Sequence, residues 1–430
     1  MRSFRALLAA SLAFPAPVMG SEDEYGIDSL AVGDFDGDRT PDVAVGMPML
    51  GSGKLKEAGE IRIFSGKTGS LLRRILGKAK EESRGRALEA VGDVDGDGAT
   101  DLASGICCEA SLDTSPDVLL PSGKVEILSG RTGLPIYVYG PPGPETLSSF
   151  GDEIGALGDG TGLAKVDIVV HDRMRNKWTC FRTEKRKQGW GVSDEAGRVT
   201  RMTGVGDVNG DGTGDIAIGL YLEDANGLKG AGRLQVVSGA YLQDGKGSVN
   251  LHVLEGTIPH ESLGLNVGPA EDWNGDGKGD LLIGRSGSDG PKGYPWLVRV
   301  LSGADAAELW KAEGPPKDFS HSGAVAVGDL DGDGRPEVAV GVPGRSRKAG
   351  AVVLISSKDG TPLWTVDGVA GEMLGYEVYR SPDANGDGCA DIVAQAPAAR
   401  ADGKKGKGRV RILSGKDGKT LVLINPLDTK

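Results

Sequence analysis

Six short segments of this chain place oxygen-bearing side chains at alternate positions of a tight, glycine-containing turn. They are Asp34, Asp36, Asp38, Thr40 and Asp42 in DFDGDRTPD, and Asp93, Asp95, Asp97, Ala99 and Asp101 in DVDGDGATD. Next come Asp207, Asn209, Asp211, Thr213 and Asp215 in DVNGDGTGD, and Asp272, Asn274, Asp276, Lys278 and Asp280 in DWNGDGKGD. The last two are Asp329, Asp331, Asp333, Arg335 and Glu337 in DLDGDGRPE, and Asp383, Asn385, Asp387, Cys389 and Asp391 in DANGDGCAD. Counted from the first Asp, positions 1, 3, 5 and 9 carry a carboxylate or amide oxygen, and position 7 offers its backbone carbonyl. Calcium takes six to eight oxygens in flexible geometry, and this spacing supplies them. Gly at position 4, and at position 6 in five of the six, permits the positive φ that turns the acids inward. Carboxylates crowded this closely repel one another unless a cation sits among them. Ordinary Asp-Gly and Asn-Gly turn chemistry accounts for one such copy, but not for an acid at position 9 in all six. The reading is calcium, at about six sites.

A helix-flanked calcium loop of the EF-hand kind needs an acid at position 12. Position 12 here is Val45, Ser104, Ile218, Ile283, Val340 or Ala394, and the flanks read as strands. A seventh, worn copy, DGTGLAKVD, keeps Asp159 and Asp167 but has Thr161 and Leu163 at positions 3 and 5, so it is expected to hold no metal.

The elements that must carry these loops follow from their recurrence. The seven copies start at residues 34, 93, 159, 207, 272, 329 and 383, on average about 58 residues apart. A Gly stands eight residues before the first Asp in five copies: Gly26, Gly85, Gly151, Gly264 and Gly375. A short aliphatic run follows each loop, then a strand-like segment ending in Ser-Gly (GEIRIFSG, GKVEILSG, GRLQVVSG, GRVRILSG), then a last apolar run. Each unit reads as four short strands between Gly-rich turns. Seven such units predict an all-β chain folded as a seven-bladed β-propeller of four-stranded antiparallel blades. The expected blades are approximately 25–80, 84–146, 149–196, 197–258, 262–316, 319–370 and 373–426, within one domain, 21–430. Composition agrees, because 71 glycines in 430 residues disfavour long helices. With 61 acids against 49 bases the chain is not expected to bind nucleic acid. Much of that acidity sits in the loops and belongs to the metal-free chain.

Residues 1–20 read as a secretory signal: two arginines, an apolar stretch over 6–19 too short to span a membrane, and small residues Val18 and Gly20 before Ser21. The expected location is secreted, periplasmic or cell-surface, without a membrane span. Cys107, Cys108, Cys180 and Cys389 do not form a disulfide framework and are read as free thiols. Other motifs dissolve on inspection. Gly66-Lys67-Thr68 lacks the earlier Gly of a phosphate loop, and Ser286 in GRSGS lacks the final Gly of a nucleophile elbow. His171, His252, His260 and His321 share no metal spacing, and Lys278-Gly279-Asp280 is claimed by a calcium loop. The basic run at 404–411 reads as a solvated loop entering a strand.

These residues resemble the FG-GAP repeat family, best known from the N-terminal propellers of integrin α subunits. Tyr25-Gly26 and Phe150-Gly151 match the first half of the family name; Gly46-Met47-Pro48 and Gly341-Val342-Pro343 match the second, with Gln395-Ala396-Pro397 a weaker copy. The resemblance spans about 25–426 and implies the propeller and its calcium. It also implies a non-enzymatic binding or adhesion module for an extracellular protein or glycan ligand, and the chain is expected to be a monomer. The alternative is a carbohydrate-active propeller, either a lectin or a protein like a polysaccharide lyase. Sugar platforms need exposed aromatics, and aromatics are 5% of the chain, which favours a protein ligand. The resemblance places the ligand on the face opposite the calcium loops. There the links 47–58, 106–122, 220–231, 285–295 and 395–407 emerge, the second carrying Cys107, Cys108, Asp113 and Asp117.

Overall fold

The computed structural model describes residues 29–51, 55–80, 82–106, 123–141, 148–157, 167–172, 177–182, 187–193, 201–244, 249–285, 295–315, 323–399 and 408–427. The signal segment, Tyr25-Gly26, Cys107, Cys108, Asp113, Asp117, Ser286, His321 and the worn loop before Asp167 lie outside these residues. Most of links 106–122, 285–295 and 395–407, and the start of the basic run, do so too.

The chain forms seven four-stranded sheets, each built from four consecutive strands. In the first blade these are Ser29–Gly33, Asp42–Met47, Glu60–Phe64 and Leu71–Leu76. All pairings within it are antiparallel, with Val32 opposite Val43 and Ala44 opposite Ile63. Every metal-loop candidate joins a first strand to a second. Antiparallel succession therefore puts the loops on one face of the ring, together with the Ser-Gly turns between third and fourth strands.

The second strands explain why the sequence shows continuous apolar runs rather than clean alternation. All six residues of Asp42–Met47 are buried. Val43, Val45 and Met47 pack on one side with Val393, Val410 and Ile412 of the seventh blade. Ala44 packs on the other with Leu88, Leu102 and Leu128 of the second. A strand between two neighbouring blades has no solvent face, so period two becomes two apolar faces. Seven such clusters, each shared by two successive blades, complete the ring. Among the described residues no strand is exchanged at closure; the seventh blade meets the first through its cluster and through Arg62, whose guanidinium donates to the Pro426 carbonyl.

The recurring glycines are required by close approach between blades. Gly264, at φ +94°, opens the fifth blade against Gly219 of the fourth, and a Cβ on Gly219 would lie 1.9 Å from the Gly264 carbonyl oxygen. The same contact recurs between Gly341 and Gly375. Two short helices, Gly239–Asp244 and Arg345–Lys348, are additions that strand periodicity did not predict. The first replaces a tight turn in the fourth blade, where Leu242 inserts into the cluster holding Trp178 and Ile216. No helix among the described residues is long and apolar enough to cross a membrane.

Candidate metal centres

All six loops fold alike, for the same local reason. In the second loop, the Gly96 and Asp97 amides donate to Asp93 Oδ1 at 2.6 and 3.1 Å, and the Gly98 amide to Asp93 Oδ2 at 3.0 Å. The Asp97 amide also reaches Asp95 Oδ1 at 3.0 Å, and the Ala99 amide reaches Asp97 Oδ1 at 2.9 Å. One oxygen at positions 3 and 5 thus shapes the turn, as Asp and Asn side chains do in Asx turns. Gly96 and Gly98 both have φ +84°. In the first loop Arg39 takes the sixth position at φ +70°, a left-handed conformation that a non-glycine side chain disfavours.

The acid at position 9 has a second task that its spacing did not disclose. Asp42, Asp101, Asp215, Asp280, Glu337 and Asp391 are fully buried. Asp101 Oδ2 accepts the Val94 amide at 2.7 Å, and Oδ1 accepts the Gly130 amide at 3.1 Å. Gly130 belongs to the Ser-Gly turn, so this carboxylate clamps loop, second strand and turn together. Gly66, Gly239, Gly303 and Gly415 donate to Asp42, Asp215, Asp280 and Asp391 in the same way. A Cβ on Gly130 would fall 1.9 Å from the Thr100 carbonyl oxygen, which accounts for the glycine. The sixth blade differs at both ends of the clamp: Glu337 replaces Asp, Ser357 replaces Gly, and the Ser357 hydroxyl donates to Glu337 Oε1 at 3.4 Å.

Burial sets the electrostatics of the clamp. It pushes the Asp42 carboxyl up to about 7, against amide donation from Gly66 and Phe35 and with repulsion from Asp36 and Asp38. Asp101, Asp215 and Asp391 rise to about 6, also chiefly by burial. Position 1 behaves oppositely in the seventh loop. Burial pulls Asp383 upward, but the amides of Gly388, Gly386 and Asp387 outweigh it and hold the carboxyl below its ordinary value.

Three loops bring carboxylate oxygens within 4.8 Å of one another: Asp34 with Asp36 and Asp42, Asp93 with Asp95 and Asp101, and Asp329 with Asp331 and Asp333. The other three have Asn209, Asn274 or Asn385 at position 3, whose Oδ1 accepts the position-5 amide, while Nδ2 of Asn274 and Asn385 donates to Asp276 and Asp387. Side chains at position 7 (Thr40, Ala99, Thr213, Lys278, Arg335, Cys389) share no chemistry, so only the backbone carbonyl there is common. Arg131 sits beside the second loop, its Nη2 donating to the Asp97 carbonyl at 3.1 Å.

A buried Glu three residues before the blade-opening Gly is a further repeated feature, absent from the spacing argument. Glu82, Glu261 and Glu372 hold the crossover into the next blade through the amides of Ala79, Thr257 and Val369 at 2.7–2.8 Å. Each also pairs with an arginine, Arg84, Arg299 or Arg411. The signal E-x-x-G was present in the sequence, but two of the arginines lie far along the chain, Arg299 38 residues from Glu261 and Arg411 39 from Glu372. Cys180 is buried and Cys389 half-buried, neither in a disulfide among the described residues. His252 Nε2 bonds the Gly303 carbonyl at 2.6 Å, on the turn whose Gly303 amide holds Asp280.

Comparison with known proteins adds a family to this geometry. The FG-GAP repeat model matches residues 27–64 and 323–355, in the first and sixth blades. Integrin alpha-PS2 of Drosophila melanogaster is 28% identical over 273 residues, covering 63% of this chain and 16% of that protein. Phosphatidylinositol-glycan-specific phospholipase D of Rattus norvegicus is 31% identical over 173 residues, 35% of this chain and 20% of its own. Integrin alpha-X of Mus musculus is 32% identical over 127 residues, 29% of this chain and 10% of its own. The chain therefore matches a fifth or less of the length of each of these relatives. With seven four-stranded blades and FG-GAP repeats matched in the first and sixth of them, the β-propeller of this chain is similar to that of integrin alpha chains.

Proposed function

We propose that this chain is an exported, calcium-binding propeller that acts as a non-enzymatic binding or adhesion module. The observation that carries the calcium reading is the sixfold repetition of one donor set. Amide donors fill one oxygen at positions 3 and 5 and anchor positions 1 and 9, while the second carboxylate oxygen of position 5, and of position 3 where it is Asp, belongs to a half-buried or exposed side chain at the mouth of the turn. Hard oxygen donors without nitrogen or sulfur suit calcium. When bound, the ion supplies charge that neutralises the clustered carboxylates. Positions 1, 3, 5 and 9 and the position-7 carbonyl would hold it, and the rigid loop face would leave the opposite links free to recognise a ligand. The similarity to integrin alpha chains supports adhesion to an extracellular protein or glycan. Residues 1–20 would direct export.

A second reading, a module working beside an enzyme on glycosylated lipid or carbohydrate, draws support from the phospholipase D match. Elemental analysis of the dialysed mature chain tests the metal: six calcium ions per chain are expected, and none or seven would refute the count. A glycan array run beside a binding screen on purified extracellular proteins tests the ligand. Selective glycan binding, or turnover of a glycosylphosphatidylinositol, would displace the adhesion reading.

A further inference from the structure

We propose that the calcium loops work in two coupled pairs, the first with the second and the fourth with the fifth, so that an ion in one loop of a pair strengthens binding in the other. The proposal rests on the calcium reading above. Its basis is a pair of peptide groups linking neighbouring loops. In the fourth loop, Asp215 Oδ2 accepts the Val208 amide at 3.0 Å. The carbonyl of that same peptide belongs to Asp207, position 1, and accepts the Gly279 amide of the fifth loop at 2.7 Å. The carbonyl of this second peptide belongs to Lys278, position 7, the backbone donor assigned to the fifth ion. A trans peptide points its N–H and C=O in opposite directions. One line of hydrogen bonds therefore runs from the clamp acid of loop four, through peptides 207–208 and 278–279, to the metal donor of loop five.

The first pair repeats this. Asp42 Oδ2 accepts the Phe35 amide at 3.0 Å, the Asp34 carbonyl accepts the Thr100 amide at 2.6 Å, and peptide 99–100 presents the Ala99 carbonyl to loop two. Among the described residues the link is found at no other junction. Pro41 and Pro336 stand where Thr100 and Gly279 do, and proline has no N–H to donate. That breaks the line between blades seven and one and between five and six. The third copy lacks oxygen at position 5, and no counterpart bond joins Ala390 to Asp329 among the described residues.

Coupling follows from ordering. An ion in loop four fixes Asp207 and Asp215, hence the plane of peptide 207–208. That plane orients Gly279 and with it the Lys278 carbonyl. A second ion then meets a donor already in place, which is positive cooperativity through pre-paid ordering. Electronic polarisation along two hydrogen bonds opposes this, but at only about 10–30% per bond.

Trp273, at position 2 of loop five and tilted against Trp310 with ring centroids 5.4 Å apart, provides a local reporter. Terbium luminescence sensitised by Trp273 would be titrated in the full mature chain carrying Trp364→Phe, because Trp364 contacts the Gly415 carbonyl beside loop seven. Asp211→Ala, emptying loop four, should weaken terbium binding at loop five about fivefold. Asp333→Ala, emptying loop six across the Pro336 junction, should leave it unchanged. Gly279→Pro, which copies the residue at positions 41 and 336, should make loop five indifferent to Asp211→Ala. Unchanged or tighter binding in Asp211→Ala, or equal weakening by Asp333→Ala, would overturn the pairing. If Gly279→Pro does not fold, the comparison of the two alanine variants decides the matter. Luminescence that calcium cannot displace from the parent chain would instead sink the calcium reading itself, and the pairing with it.

Discussion

Two aspartates of one loop, Asp95 and Asp101, should lose the same calcium ion and yet destabilise the chain very differently. Asp95 is exposed and accepts one amide, that of Asp97, within the turn. Asp101 is buried and accepts the amides of Val94, Asp95 and Gly130, the last from another strand connection. In excess chelator, Asp95→Ala is a surface substitution worth within about 0.5 kcal/mol. Asp101→Ala leaves up to three amides without their acceptor, at about 1–3 kcal/mol for each that water cannot reach. Relief of the buried charge offsets part of that, so the expected loss is about 3 kcal/mol. In calcium at about ten times the dissociation constant, each site adds roughly 1.4 kcal/mol to stability, and both variants forfeit it. The difference between the variants should therefore persist with and without the ion, while the difference between parent and Asp95→Ala should appear only with calcium. Urea denaturation of the three proteins, each with calcium and with chelator, measures all six quantities. Equal destabilisation of the two variants in chelator would refute the clamp assigned to position 9.

The pH response of the metal-free chain should follow the clamp acids. Burial holds Asp42 at about 7 and Asp101, Asp215 and Asp391 at about 6, above their unfolded values, so the folded chain binds more protons between pH of about 4 and 7. Stability in chelator should then rise as pH falls from 7.5 toward 5.5, and saturating calcium should flatten the trend; a melting temperature that falls over that range in chelator would contradict it. At the sixth blade, Glu337→Asp and Ser357→Gly should each destabilise by about 1 kcal/mol while the double variant recovers most of the loss, because the longer acid and the non-glycine turn fit each other; additive losses in a double-mutant cycle would count against the fit. Glu372→Ala should lower stability by about 3 kcal/mol, since it leaves Arg411 and the Val369 amide unpaired at a buried blade junction; a change under 1 kcal/mol on denaturation would make the pair dispensable.

What the sequence disclosed and what it concealed divide along the range of the interactions. Asp93, Asp95 and Asp97 bond amides two to five residues away, so their spacing alone specifies the turn. The strands were legible for a related reason: a period-two pattern with both faces apolar, as in Asp42–Met47, belongs to a sheet buried between two others. The clamp was not legible, because Asp101 and Gly130 lie in separate strand connections. The same holds for Glu261 and Glu372, whose partners Arg299 and Arg411 lie on the third strands of the blades that follow. Even so, each concealed contact left a trace as a repeated residue without a local purpose: the Gly of Ser-Gly, the Glu of E-x-x-G, the acid at position 9. Blade six argues that these traces are physical rather than incidental. There the acid lengthens from Asp to Glu and the turn gives up its glycine for Ser357, so two residues distant in sequence change together where the fold brings them into contact. In a repeat protein, each blade is a variant of its neighbours, and such paired departures point to contacts that no single copy reveals.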